Sequence, residues 1–120
     1  MAVEKRRFHR ICIACKVSVV FDNSQMMVNS HTENLSASGI MFIMESEVVP
    51  AVSSLVDLDL FLWDDEKSSK CKASLVWVNE ITPVQIKPRL FNVGIHFEDI
   101  SDLDRDKIMK FVNSVISSWH

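Results

Sequence analysis

Arg6, Arg7 and Arg10 put three guanidinium groups within five residues, on a segment that also holds Phe8 and His9. A guanidinium binds phosphate oxygens through a planar fork, pairs bidentately with the N7 and O6 edge of guanine, and stacks on purine faces. Such a segment suits an anionic purine nucleotide. A second polar stretch follows at Asn34-Leu35-Ser36-Ala37-Ser38-Gly39. On an extended backbone Asn34 and Ser36 point to one face. Gly39 is one of only two glycines in 120 residues, where average usage would give about eight. A glycine kept in so glycine-poor a chain answers a specific need, either a positive φ or the close approach of a partner. The plainer alternative is a strand connection in which Asn34 and Ser36 satisfy nearby backbone amides and Gly39 makes the turn.

Other chemistries find less support. The chain has no Gly-rich phosphate loop, no His-Glu-x-x-His and no Gly-x-Ser-x-Gly elbow, so it reads as a non-enzyme. Cys12 and Cys15 are spaced as a metal-binding pair, but three residues apart on a strand they fall on opposite faces, and no metal site is expected. Three cysteines in all, an odd number in a domain able to bury a core, read as reduced thiols.

The elements that hold these residues are mostly strands. Ile11, Ile13, Cys15, Val17, Val19 and Phe21 alternate with more polar positions and predict a first strand over 11–21. Asp22-Asn23-Ser24 supplies a turn, and a weaker strand over 26–32 delivers the chain to Asn34, the two forming a hairpin. Further strands are expected over 40–44, 55–63, 70–78 and 90–97, the fourth with Val56, Leu58, Leu60 and Leu62 on one face. After Asp99 the period changes. Ile108, Phe111, Val112, Val115, Ile116 and Trp119 form one helical stripe. Ser101 with Asp104 resembles a capping box, so a helix is expected over 102–118. Strands joined by short turns imply antiparallel pairing, and a curved sheet closes to hide its edges. The expected architecture is mainly β, a six-stranded antiparallel β-barrel with a C-terminal α-helix packed on it. Residues 1–10 are expected to form a flexible basic segment and 11–120 a single barrel domain.

Charge is unevenly spread. The net charge is −3, yet Lys5, Arg6, Arg7, Arg10 and Lys16 against Glu4 give +4 over the first sixteen residues, leaving −7 for the rest. That distribution fits a local anionic partner rather than a duplex-coating surface, and no nucleic-acid partner is expected. No window approaches the ~18 consecutive apolar residues of a membrane span, and no apolar signal core follows the first residues. A cytoplasmic location without a membrane partner is therefore expected.

Taken together, Arg-x-x-x-Arg (Arg6 and Arg10) followed by Asn-x-Ser-x-x-Gly (Asn34, Ser36, Gly39) resembles the PilZ domain, the bacterial receptor family for cyclic di-GMP. Leu75-Val76-Trp77-Val78 and Phe91-Asn92-Val93-Gly94-Ile95-His96-Phe97 look like that family's later strands. The resemblance implies that Arg6 and Arg10, helped by Arg7, contact the phosphates and guanine edges of the ligand, which this family also takes up as an intercalated dimer. It implies that Asn34 and Ser36 hold a guanine or its phosphate from the barrel side, while Gly39 lets the backbone come close. Asn34 stands where aspartate is common in the family. Trp77 matches a position often occupied by tryptophan, and two placements remain open for it, against the ligand or in the barrel beside Leu75. The implied function is a receptor and adaptor: ligand staples the arginine segment to the barrel and makes a surface for an unidentified protein target. The alternative is a degenerate PilZ-like interaction module that binds no nucleotide. A single-stranded nucleic-acid barrel would want more exposed aromatic residues and a basic groove.

Overall fold

The structure is a computed structural model that describes residues 8–62 and 68–118. Six strands, β1 (Lys16–Phe21), β2 (Met27–Ser36), β3 (Gly39–Glu45), β4 (Leu55–Phe61), β5 (Ser69–Glu80) and β6 (Leu90–Asp99), precede one helix, α1 (Asp102–Ser118). The strands close into a barrel in the order β1-β2-β3-β6-β5-β4, every neighbouring pair antiparallel, with β1 paired to β4.

Alternation sends one face of each strand inward. Val17, Val19, Phe42, Val56, Leu60, Leu75, Phe91 and Val93 are all fully buried, and this interior is the core. On the outside, Asp57 pairs across the ladder with Lys72 at 2.8 Å and Asp59 with Lys70 at 3.1 Å. These pairs are solvent-exposed and add little energy. They do penalise a one-residue slip of β4 on β5, which would face Leu58 outward.

The helix matches its expected span. Ser101 Oγ accepts the Asp104 backbone N–H at 3.1 Å, which caps the first turn. Ile108, Phe111 and Val112 are buried, Val115 and Ile116 pack at the core's margin, and α1 rests against β2. Trp119 and Trp63 lie outside the described residues. Among the described residues, no helix is long and apolar enough to cross a membrane.

Two expectations need correction and a third is narrowed. The first strand begins at Lys16, not Ile11. Ile11 makes an isolated bridge to Leu35, and residues 12–15 run irregularly between that bridge and β1. The reason is Thr32, a buried residue of β2 whose hydroxyl donates to the Ile13 carbonyl at 2.6 Å and accepts from Cys15 N–H at 2.8 Å. A side chain thus replaces the regular ladder there. The second strand is also longer than expected and includes Asn34 and Ser36. Finally, neither glycine has a positive φ; Gln25, Ser53 and Gln85 take those conformations in the loops.

Thr32→Val keeps the shape but leaves the buried Cys15 N–H without its acceptor. Stability should fall by about 2 kcal/mol, read as a lower denaturant midpoint together with faster amide exchange at Cys15. An unchanged midpoint would show that water replaces the hydroxyl at no cost.

Candidate ligand-binding site

The two polar motifs meet because the chain crosses itself beside β2. Ile11 N–H donates to Leu35 O and Leu35 N–H to Ile11 O, both at 2.9 Å. This bridge sets Arg10, which is exposed, next to Asn34 and Ser36. Together with Gly39, Trp77 and His96, these residues line one shallow depression of about 110 Å³ on the outer face of β2, β3, β6 and β5. Arg6 and Arg7 lie outside the described residues.

Two bulges aim the side chains. In β2 the register shifts between Thr32, opposite Phe42, and Asn34, opposite Met41. One residue is thereby added, so Thr32 stays inside while Asn34 turns outward. Among the described residues the Asn34 amide donates to Met41 Sδ at 3.6 Å, a weak acceptor that a better one would displace. Ser36 is otherwise engaged. Its Oγ accepts the Ser38 backbone N–H at 3.2 Å and shares a hydrogen bond with Ser38 Oγ at 2.9 Å. The amide-satisfying role therefore holds for Ser36, which is buried, and not for Asn34.

In β5 the shift falls between Leu75, opposite Ile95, and Trp77, opposite Gly94. Leu75 is fully buried, and strict alternation would bury Trp77 beside it. The extra residue, Val76, turns the tryptophan out instead, leaving it 41% exposed. The indole sits over Gly94, whose missing Cβ would run into the ring at Nε1, Cε2 and Cδ1. Trp77 is thus an outer wall of the depression rather than a core residue.

Gly39 answers the close-approach half of the expectation. A Cβ there would overlap the Ile95 carbonyl oxygen of β6. The approach seen is that of the neighbouring strand.

The electrostatics suit an anion. The charged or titratable residues lining the depression, among those described, are Arg10 and His96, and no carboxylate joins them. The cysteines stand apart from it. Cys12 is exposed and Cys15 buried, as their spacing predicts. Burial raises the Cys15 thiol above its ordinary value, and burial with nearby Asp104, Asp59 and Asp99 pushes Cys71 up to about 11. Both therefore stay protonated near neutral pH, which does not suit a nucleophile.

Sequence reasoning missed Ser38, Gly94 and His96. The apolar alternation Phe91, Val93, Ile95, Phe97 already implied that His96 faces outward, and that was the available signal.

A family model for the PilZ domain matches residues 4–114. Among curated proteins none matches. The structure is similar to the inhibitor of motility MotI/DgrA of Bacillus subtilis, with 12% identity and a TM-score of 0.74 over 96% of this chain and 53% of that one. It is similar to the PilZ domain, with c-di-GMP, of YcgR from Escherichia coli, with 12% identity and a TM-score of 0.72 over 96% of this chain and 94% of that one. It is similar to the MrkH–c-di-GMP complex of K. pneumonia, with 14% identity and a TM-score of 0.71 over 97% and 54%. The chain thus spans about half the length of MotI and MrkH. At these identities the structural likenesses establish the shared fold.

Proposed function

Since the chain belongs to the PilZ domain family, we propose that it is a receptor for cyclic di-GMP, a binding protein rather than an enzyme, and that the depression beside the Ile11–Leu35 bridge is its nucleotide site. The observation that carries this reading is the bridge itself. It brings the Arg10 guanidinium to the hollow where the two bulges aim the Asn34 amide and the Trp77 indole, and among the described residues no carboxylate lines it.

The hollow is well below the ~300–1,000 Å³ of an enclosing ligand pocket. A two-guanine ligand lies on it rather than in it, and needs a second wall. The N-terminal arginines supply that wall: Arg10 from the bridge, Arg6 and Arg7 from the segment before it. Guanidinium forks take the phosphates, the Asn34 amide meets a guanine edge, and the Trp77 face stacks on a base. An intercalated ligand dimer fits an open shelf of this kind better than a closed pocket would. Binding then joins the arginine segment to the barrel through the ligand and creates a composite surface for a protein target.

That YcgR and MrkH have been seen with c-di-GMP supports the choice of ligand. The test is isothermal titration of cyclic di-GMP into the full chain, with GTP as competitor. Micromolar or tighter binding that GTP does not displace supports the reading. Absence of heat together with an unchanged melting temperature would leave an interaction barrel without a nucleotide.

Asn34 supplies a gain-of-function check. A carboxylate accepts the guanine N1 and N2 hydrogens through charge-assisted bonds, which an amide oxygen makes less strongly. Asn34→Asp should therefore tighten cyclic di-GMP binding about five- to tenfold in the same titration. Weaker binding would place a phosphate, not a guanine edge, at this position.

A further inference from the structure

β6 carries an outward-facing imidazole whose surroundings leave it open. His96 stands between the buried Ile95 and Phe97. Its partners across the two ladders are Gly39 on β3 and Ser74 on β5. One has no side chain and the other a short one. The imidazole is therefore not overlaid by its cross-strand neighbours, and it borders the same depression as Arg10, Asn34 and Trp77.

We propose that His96 is a binding residue of the nucleotide site, donating to a ligand phosphate or to the guanine N7/O6 edge and making affinity depend on pH. The proposal rests on reading the depression as a cyclic di-GMP site. The ring comes from β6, whereas Arg10 comes from the segment bridged to β2. The ligand is thus gripped by cations from two separate elements, and the contact on β6 belongs to the rigid barrel.

Imidazole is the side chain whose ordinary charge change falls between about pH 5 and 8. The phosphodiesters and guanines of the ligand keep their charge over that interval. A bound phosphate favours the imidazolium, so binding takes up a proton and tightens as pH falls. The other charged group lining the depression among the described residues is Arg10, which keeps its charge throughout. Glu98 lies two residues along β6 on the same outer face and accepts a hydrogen bond from Ser74 Oγ of β5. β2 and β3 bring only neutral side chains to the hollow. His9 lines a different hollow, against Met109 and Val112 of α1.

The experiment is titration of cyclic di-GMP into the wild-type chain, His96→Gln and His9→Gln at about pH 6 and about pH 8. His96→Gln keeps a neutral donor on an exposed site, and its melting temperature serves as the folding check. The wild type and His9→Gln should bind about fivefold tighter at the lower pH, and His96→Gln should lose most of that difference. Parallel profiles for the wild type and His96→Gln would overturn this proposal while leaving the nucleotide site standing. No binding by the wild type at either pH would overturn the nucleotide reading, and this proposal with it.

Discussion

Arg10→Ala should weaken cyclic di-GMP binding on the order of 50-fold while shifting the melting temperature by no more than about 2 °C. The two halves of that expectation have separate causes. Arg10 is exposed and makes no ion pair with any described residue, so its side chain supports nothing in the barrel. Its position is held by the backbone of the next residue, where Ile11 and Leu35 exchange two hydrogen bonds at 2.9 Å. The substitution therefore removes a guanidinium from the depression and leaves the segment's path intact. The depression has no second permanent cation on that side among the described residues, and a fork of donors on a phosphate is not replaced by water at equal strength. Titration calorimetry gives the first half and thermal denaturation the second. A large loss of stability would mean that the arginine holds the segment down, and unchanged affinity would mean that the phosphates lie elsewhere.

Much of this arrangement was legible in the chain itself, for reasons that differ from element to element. The period-2 pattern gave all six strands, since the burial of Val56, Leu58, Leu60 and Leu62 or of Phe91, Val93, Ile95 and Phe97 follows directly from alternation. The start of α1 was legible because Ser101 is a local signal whose bond to Asp104 forms without tertiary help. What periodicity could not convey is which group answers a buried N–H. Ile11 and Cys15 alternate into the core as a strand would, yet the Thr32 hydroxyl takes the bonds of a partner strand, and β1 starts late. Bulges were equally invisible. Trp77 lies two residues from the buried Leu75, and only the extra residue in the β5–β6 ladder turns it toward the site. For the site, the motif residues Arg10, Asn34, Ser36 and Gly39 come together as one group, while Arg6 and Arg7 fall outside the described residues. His96 escaped because its stretch was read only as a strand, and it enters the site through pairing with Gly39 across the sheet.

Gly39→Ala should unfold the domain more readily than any change on the site's exposed rim, lowering stability by about 3 kcal/mol and the melting temperature by roughly 10 °C. The added methyl would overlap the Ile95 carbonyl oxygen, and the next atoms it meets are Ile95 C at 3.2 Å and His96 Cα at 3.3 Å. All three belong to the β6 backbone. No flexible tip can move aside, and β6 is held on both flanks, by β3 and by β5, in a barrel with no free edge. Gly94→Ala makes the informative comparison. There the methyl would meet the indole of Trp77, a side chain that is 41% exposed and able to swing into solvent. Its cost to folding should be about 1 kcal/mol, with the main effect a shifted Trp77 indole N–H resonance and weaker nucleotide binding as the stacking wall leaves. Both glycines border the same depression, so binding assays alone would score both as site residues. Denaturation separates them: Gly39→Ala should show the larger fall in melting temperature, whereas Gly94→Ala should keep most of its stability and lose affinity. Equal and small stability losses would show that β6 can yield at Ile95, and the glycine of the motif would then be free to serve the ligand rather than the barrel.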